Sequence, residues 1–337
     1  MKTTNFDEVL QVLSKLDAFL ISLGIPIRDD RWHKASETVR QARDRGQIGA
    51  SGGAPPATDN YVDGLFEALE IYQIRQAFEG VTSDGLRTKV ARAVSGPPSP
   101  LAEQPKNNEA RNAMFELCLA ADWKNAGMIV EIGEPDIQVR FGSDIFKVEC
   151  KRPFSENSVW RNIEQAHSQL KEALNRPRKK TDVGIIAVSL SRTFTKGNLM
   201  LHGPAEAGRS AIRAALAKML RDNANDWGLH RRYHERVVAL MFYLAVPWDI
   251  DGARLIHLST SDFRGTGRKS KGRLILEENF AHPGMERNRG NRALFRETRR
   301  RNSRALFPAG RAVLQTCGCI RLEAVRREKS CHDSTYG

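Results

Sequence analysis

The stretch 133–153 constrains the fold of this chain more than any other: Gly-Glu-Pro-Asp-Ile-Gln-Val-Arg-Phe-Gly-Ser-Asp-Ile-Phe-Lys-Val-Glu-Cys-Lys-Arg-Pro. Ile137, Val139 and Phe141 alternate with Asp136, Gln138 and Arg140. Phe146, Val148 and Cys150 alternate with Ile145, Lys147, Glu149 and Lys151. Period-two alternation over runs this short predicts two half-buried strands. Apolar positions oppose apolar ones if Val139 faces Phe146 and Ile137 faces Val148. That register leaves Gly142-Ser143 as a two-residue loop, with glycine first, as a type II′ hairpin turn requires. It also sets Asp136 opposite Glu149, with Lys151 diagonal to Asp136. Directly opposed carboxylates repel, and a divalent cation between them reverses that sign.

The rest of the chain is read around this hairpin. Apolar residues at helical spacing predict helices over 5–22 and 61–78, with a more polar one over 30–45 and a short one from Ser83 to Val94, N-capped by Ser83. This helical N-terminal region, 1–94, holds no constellation that looks chemical. A Pro-rich segment, 95–107, reads as a linker or wrapped connector. A helix follows over 108–124. From Ala113 to Ala121 its only polar residue is Glu116. An ionised carboxylate on a buried helix costs several kcal/mol unless it is paired, so Glu116 lies on an exposed stripe, pairs with an Arg or Lys, or turns into a site. Strands are expected over 128–132, 183–190, 236–246 and 255–258, and helices over 159–174 and 205–223. The order describes an α/β domain, 108–261, around a mixed central sheet.

Composition then narrows the partner. The chain carries 53 Lys and Arg against 40 Asp and Glu, a net charge of +13. Such a balance favours a polyanion. The tail, 262–337, is the most basic part, and residues 286–304 hold eight arginines against two glutamates. Runs of this kind usually stay disordered without a partner. The five cysteines are odd in number and sparse, which argues against a disulfide scaffold and for a reducing cytoplasm. No apolar run approaches the roughly 20 residues of a membrane span, and the N-terminus lacks a signal-peptide pattern.

Pro135-Asp136, twelve intervening residues and then Glu149-Cys150-Lys151 resemble the PD-(D/E)xK nuclease superfamily, the restriction-endonuclease-like fold. The resemblance covers roughly residues 108–250. It rests on Asp136 after a proline, on Glu149 and Lys151 on the partner strand, and on Glu116 on the upstream helix, with Glu109 a competing helix acid. It implies a Mg2+-dependent endonuclease acting on DNA, with Mn2+ a substitute metal and RNA not excluded. Glu116, Asp136 and Glu149 would hold the metal, with the main-chain carbonyl of Cys150 a further ligand. Lys151 would assist the attacking water. In many members a glutamine on the following helix helps; Gln169 is the first choice and Gln165 the second. Arg140, Arg152, Arg161 and the 176–180 loop would contact backbone phosphates, and a homodimer is left open. The alternative is a catalytically silent nucleic-acid-binding protein that keeps the fold.

Three further patterns carry less. His230 and His234 are four apart but lack the glutamate of a zinc-protease helix. Cys317, Cys319, Cys331 and His332 fit no common zinc finger. Gly265-Thr-Gly267 reads as flexible linker.

Overall fold

The structure, a computed structural model, describes residues 6–27, 30–44, 59–97, 102–141, 144–175, 182–196, 201–249 and 255–266. Every described residue belongs to one compact unit, within Met1–Pro283. The expected Gly142-Ser143 turn, the 176–180 loop, the cysteines at 317, 319 and 331 with His332, and most of the basic tail lie outside the described residues.

Among the described residues five helices come first: α1 (Phe6–Leu13), α2 (Leu16–Ser22), α3 (Arg31–Asp44), α4 (Asp59–Phe78) and α5 (Asp84–Ala93). The single helix expected over 5–22 is two, because the backbone leaves helical geometry at Lys15 (φ −103°, ψ 11°). Ser83 caps α5 as expected, its Oγ accepting from Leu86 N–H at 3.2 Å. The remaining order is α6 (Glu109–Asn125), β1 (Ile129–Ile132), β2 (Ile137–Phe141), β3 (Asp144–Lys151), α7 (Val159–Asn175), β4 (Asp182–Ser189), α8 (Ser191–Thr195), β5 (Leu201–His202), α9 (Ala205–Asp222), β6 (Val237–Asp249) and β7 (Leu255–Gly265). The fold is α/β, with a mixed sheet flanked by helices.

The sheet runs β1-β2-β3-β4-β6, with β7 on the far edge of β6 and the short β5 also paired to β6. β1, β2 and β3 are antiparallel; β3, β4 and β6 are parallel; β7 returns antiparallel to β6. The hairpin register is the expected one, with Ile137 opposite Val148 and Val139 opposite Phe146. β7 is longer than the strand expected over 255–258, and it carries Phe263, Arg264 and Gly265 as ladder residues rather than tail or flexible linker. α8 and β5 had no expectation, because elements of five and two residues are too short to show a period.

Alternation sorts the strand residues between two faces. Ile137, Val139, Phe146, Val148, Cys150, Ile185 and Ala187 pack with α6 and the N-terminal helices in one continuous apolar core. Ile186, Val188, Leu240, Phe242 and Leu244 pack on the other face with α7 and α9, through Val159, Ile163, Ala166, Leu170, Ile212 and Leu216. α6 is buried almost all round, as its sequence requires. The helical region therefore covers the sheet rather than standing apart from it. Among the described residues, no helix is long and apolar enough to cross a membrane.

Candidate functional site

The hairpin ladder ends at Ile137–Val148. Asp136 lies just before β2, in a bend. Past the last paired residue, the Cys150 N–H has no carbonyl of β2 to meet, and the Asp136 side chain supplies the acceptor. Cys150 N–H donates to Asp136 Oδ2 at 2.9 Å. The strand thus fixes the orientation of the carboxylate, and Oδ1 is left to face inward.

Glu116 meets Asp136 across a lysine. Lys89, from α5, pairs with Glu116 Oε2 and with Asp136 Oδ1, the latter at 2.8 Å. Glu116 and Lys89 are both buried. On β3, Glu149 is itself buried and lies close enough to Asp136 to feel its charge. Lys151 Nζ lies 3.7 Å from Glu149 Oε2. Lys151 therefore pairs with the acid of its own strand. Three carboxyls from three segments and two ammoniums from two form one group at the end of the sheet.

Crowding shows in the protonation of these acids. Burial, and then the negative charge of Asp136, push Glu116 up to about 7, with Lys89 acting in the opposite sense. Burial, and then the negative charge of Asp136, push Glu149 up to about 8, with Lys151 opposing. Burial disfavours the charged form of Lys89, but Glu116 and Asp136 more than reverse this and raise its pKa.

The donor set suits a hard divalent cation: carboxylate oxygens only, with three formal negative charges against two positive ones. The place between Glu116 and Asp136 accepts a cation already, in the form of the Lys89 ammonium. Among the described residues, no three His, Cys, Asp or Glu side chains converge on a single metal position as they stand.

Lys89 was not anticipated, since the N-terminal region looked devoid of chemistry. One signal was present. In α5 the buried positions are Leu86, Lys89, Val90 and Ala93, so a lysine interrupts an otherwise apolar helical stripe. A buried lysine needs a partner, and the partners are the acids 27 and 47 residues further on. Gly85, one turn before Lys89, sets the approach of α5. A Cβ there would lie 1.8 Å from the Ile132 carbonyl oxygen. α5 thus runs against the end of β1, at the entry to the hairpin.

The other expected residues fall differently. Gln169 and Gln165 are exposed on α7. The α7-facing side of β3 is not a solvent face: Lys147 is buried under α7, 3.2 Å from Asp182 Oδ2, and donates to Ala173 O at 3.0 Å. Arg152 is held by Glu103 of the 95–107 connector through both of its terminal nitrogens. Arg192 of α8 stands 3.9 Å from the same carboxylate and over the Phe154 ring. Arg152 is therefore tied into a buried ion cluster rather than turned to solvent. Arg140 is exposed and pairs loosely with Glu131 at 3.4 Å, and Arg161 is exposed on α7. Glu109 is exposed in the first turn of α6, so Glu116 is the helix acid at the site. His230 stands in a turn and His234 in an irregular segment, neither on a helix, and the His234 N–H donates to His167 Nε2 at 2.8 Å.

No protein-family model matches the chain, and no curated protein matches it.

Proposed function

We propose that the chain is a Mg2+-dependent nuclease of the restriction-endonuclease-like fold, hydrolysing phosphodiester bonds of DNA. One observation carries the reading: Glu116, Asp136, Glu149 and Lys151, distant in sequence and singled out by their spacing, meet in one group at the end of a mixed sheet. Asp136 and Glu149 would hold the metal, joined by Glu116 and by the carbonyl of Cys150. When bound, Mg2+ neutralises charge on the phosphate and lowers the pKa of a water.

The protein's own part is orientation and charge. The Cys150 N–H holds the Asp136 carboxylate in one rotamer, so the acid is pre-set rather than ordered on binding. Glu149 stands on β3 where the strand is paired with β4, so its backbone position is fixed. The Lys151 ammonium, two residues along the same strand, lies where it can hydrogen-bond an attacking water and stabilise charge developing on the phosphate. The exposed Arg140 and Arg161, and the arginines of 286–304, supply sequence-independent attraction for a polyanion.

A second reading has its own support. Lys89 already pairs with both Glu116 and Asp136, which would suit a nucleic-acid-binding protein that keeps the fold without catalysis. Supercoiled plasmid incubated with the protein and Mg2+ separates the two. A nuclease nicks or linearises it, and Asp136→Ala and Lys151→Ala abolish cleavage while retaining binding. Binding without cleavage of any DNA form by the wild type establishes the silent binder.

A further inference from the structure

The acids assigned to the metal are already bound to a cation of the chain's own. Lys89 reaches both Glu116 and Asp136 from a helix outside the hairpin, and its side chain is buried among them. Asp136 has one oxygen committed to the Cys150 N–H, so Oδ1 is the oxygen left for a metal, and Lys89 stands 2.8 Å from it. Resting on the nuclease reading above, we propose that Lys89 is a resident counter-cation that a divalent metal displaces from Glu116 and Asp136. Metal loading and the release of Lys89 are then one event.

The chemistry follows from the positions. Without any cation, buried carboxylates this close would repel one another and be poorly solvated. Lys89 removes that problem in the metal-free protein. It is a compact charge on a flexible four-carbon stem, so it can leave while the helix backbone stays anchored by Gly85 against Ile132. An ammonium and a divalent ion cannot share the same pair of oxygens, through sterics and like-charge repulsion alike. Lys151 is in a different position. It pairs with Glu149 and does not stand between Glu116 and Asp136, so it can remain in place.

The test reads metal binding directly. Mn2+ is titrated into wild type, Lys89→Met and Lys151→Met, and the free aqueous ion is counted by electron paramagnetic resonance. Displacement requires Lys89→Met to bind Mn2+ at least about tenfold more tightly than wild type, and clearly more tightly than Lys151→Met, which controls for the general loss of one positive charge. A second measurement uses the wild type alone and decides the matter should Lys89→Met fail to fold. Amine acetylation mapped by mass spectrometry should leave Lys89 protected without metal and label it with saturating Mn2+. Lys147, buried against Asp182, stays protected in both. Equal affinities, or a Lys89 that remains protected with Mn2+ bound, overturn the displacement and leave the nuclease reading standing. Mn2+ binding to none of the three proteins overturns the metal-dependent reading and this inference with it.

Discussion

The Cys150 backbone N–H donates to Asp136 Oδ2 at 2.9 Å, so an acid outside the ladder is oriented by the strand opposite it. The two residues are fourteen apart in sequence, and the bond joins the bend before β2 to the penultimate residue of β3. It places one negative charge against two further carboxyls.

That placement is testable by removing the charge and keeping the shape. Asp136→Asn can still accept from Cys150 through its amide oxygen. Asp136 is the largest charge effect raising both Glu116 and Glu149, second in each case to burial. In Asp136→Asn both carboxyls should therefore titrate lower than about 7 and about 8, though still above ordinary glutamate because burial remains. Side-chain carboxyl 13C chemical shifts followed against pH give the answer. Unchanged titration of both would show that the three acids are not neighbours.

Stability should depend on pH in a defined direction. Glu149 titrates near 4.5 when unperturbed and about 8 in the fold, so the folded protein holds its proton more tightly than the unfolded chain. A group raised in this way contributes stability fully below its unfolded pKa and loses it as pH rises through the folded value. Without added metal, wild type should lose stability relative to Glu149→Gln between about pH 4.5 and pH 8. Glutamine is neutral throughout and has no such loss. Urea denaturation at intervals across that range, in the presence of a chelator, measures the difference. Two parallel stability curves would rule the effect out.

How much of this was legible in the sequence can be judged from single residues. The hairpin register was readable because period two leaves no freedom: a slip of one residue would turn Ile137, Val139, Phe146 and Val148 to the wrong face. Glu116 was readable as a misfit, an acid inside an apolar helix. Its partner was not, because Lys89 belongs to a helix whose docking is a tertiary event that local periodicity does not report. The same limit applies to α7. Its apolar stripe was plain, but that stripe covers the polar side of β3, so Lys147 is buried and the glutamines on the opposite stripe are exposed. Arg152 follows Lys151 in sequence and invited a phosphate role. The partner that claims it, Glu103, is 49 residues earlier in a Pro-rich connector with no regular pattern.

Gly85 is expected to be intolerant of any side chain. An alanine Cβ would sit 1.8 Å from the Ile132 oxygen and 2.7 Å from its carbonyl carbon, and both are backbone atoms that cannot swing aside. α5 must then move off β1 and draw Lys89 away from the acids. Overpacking of this kind costs about 1–3 kcal/mol. Gly85→Val should cost at least as much, whereas Arg87→Ala, on the exposed side of the same helix, should stay within about 0.5 kcal/mol of wild type. Denaturant midpoints compare the three. A Gly85→Ala protein as stable as Arg87→Ala would mean that α5 does not dock where it is placed.

Glu103 should be the most damaging single truncation in the connector. Its side chain is fully buried, it receives two bonds from Arg152, and it stands 3.9 Å from Arg192. Removing it leaves two arginines together in a poorly solvated place. Breaking a buried ion pair by deleting one partner costs about 3–5 kcal/mol, because the remaining charge is uncompensated. Glu103→Ala should therefore lose stability on that order. Adding Arg152→Ala should recover part of the loss, since one stranded charge is then gone. Arg152→Ala alone should act first on stability and only through it on DNA affinity, unlike the exposed Arg161→Ala, which should weaken binding at low salt without lowering the denaturation midpoint. A double-mutant cycle on Glu103 and Arg152, read beside the salt dependence of DNA binding for each arginine variant, separates the two roles. Additive losses for Glu103 and Arg152 would mean that the pair is not coupled and would leave Arg152 available for the proposed phosphate contact.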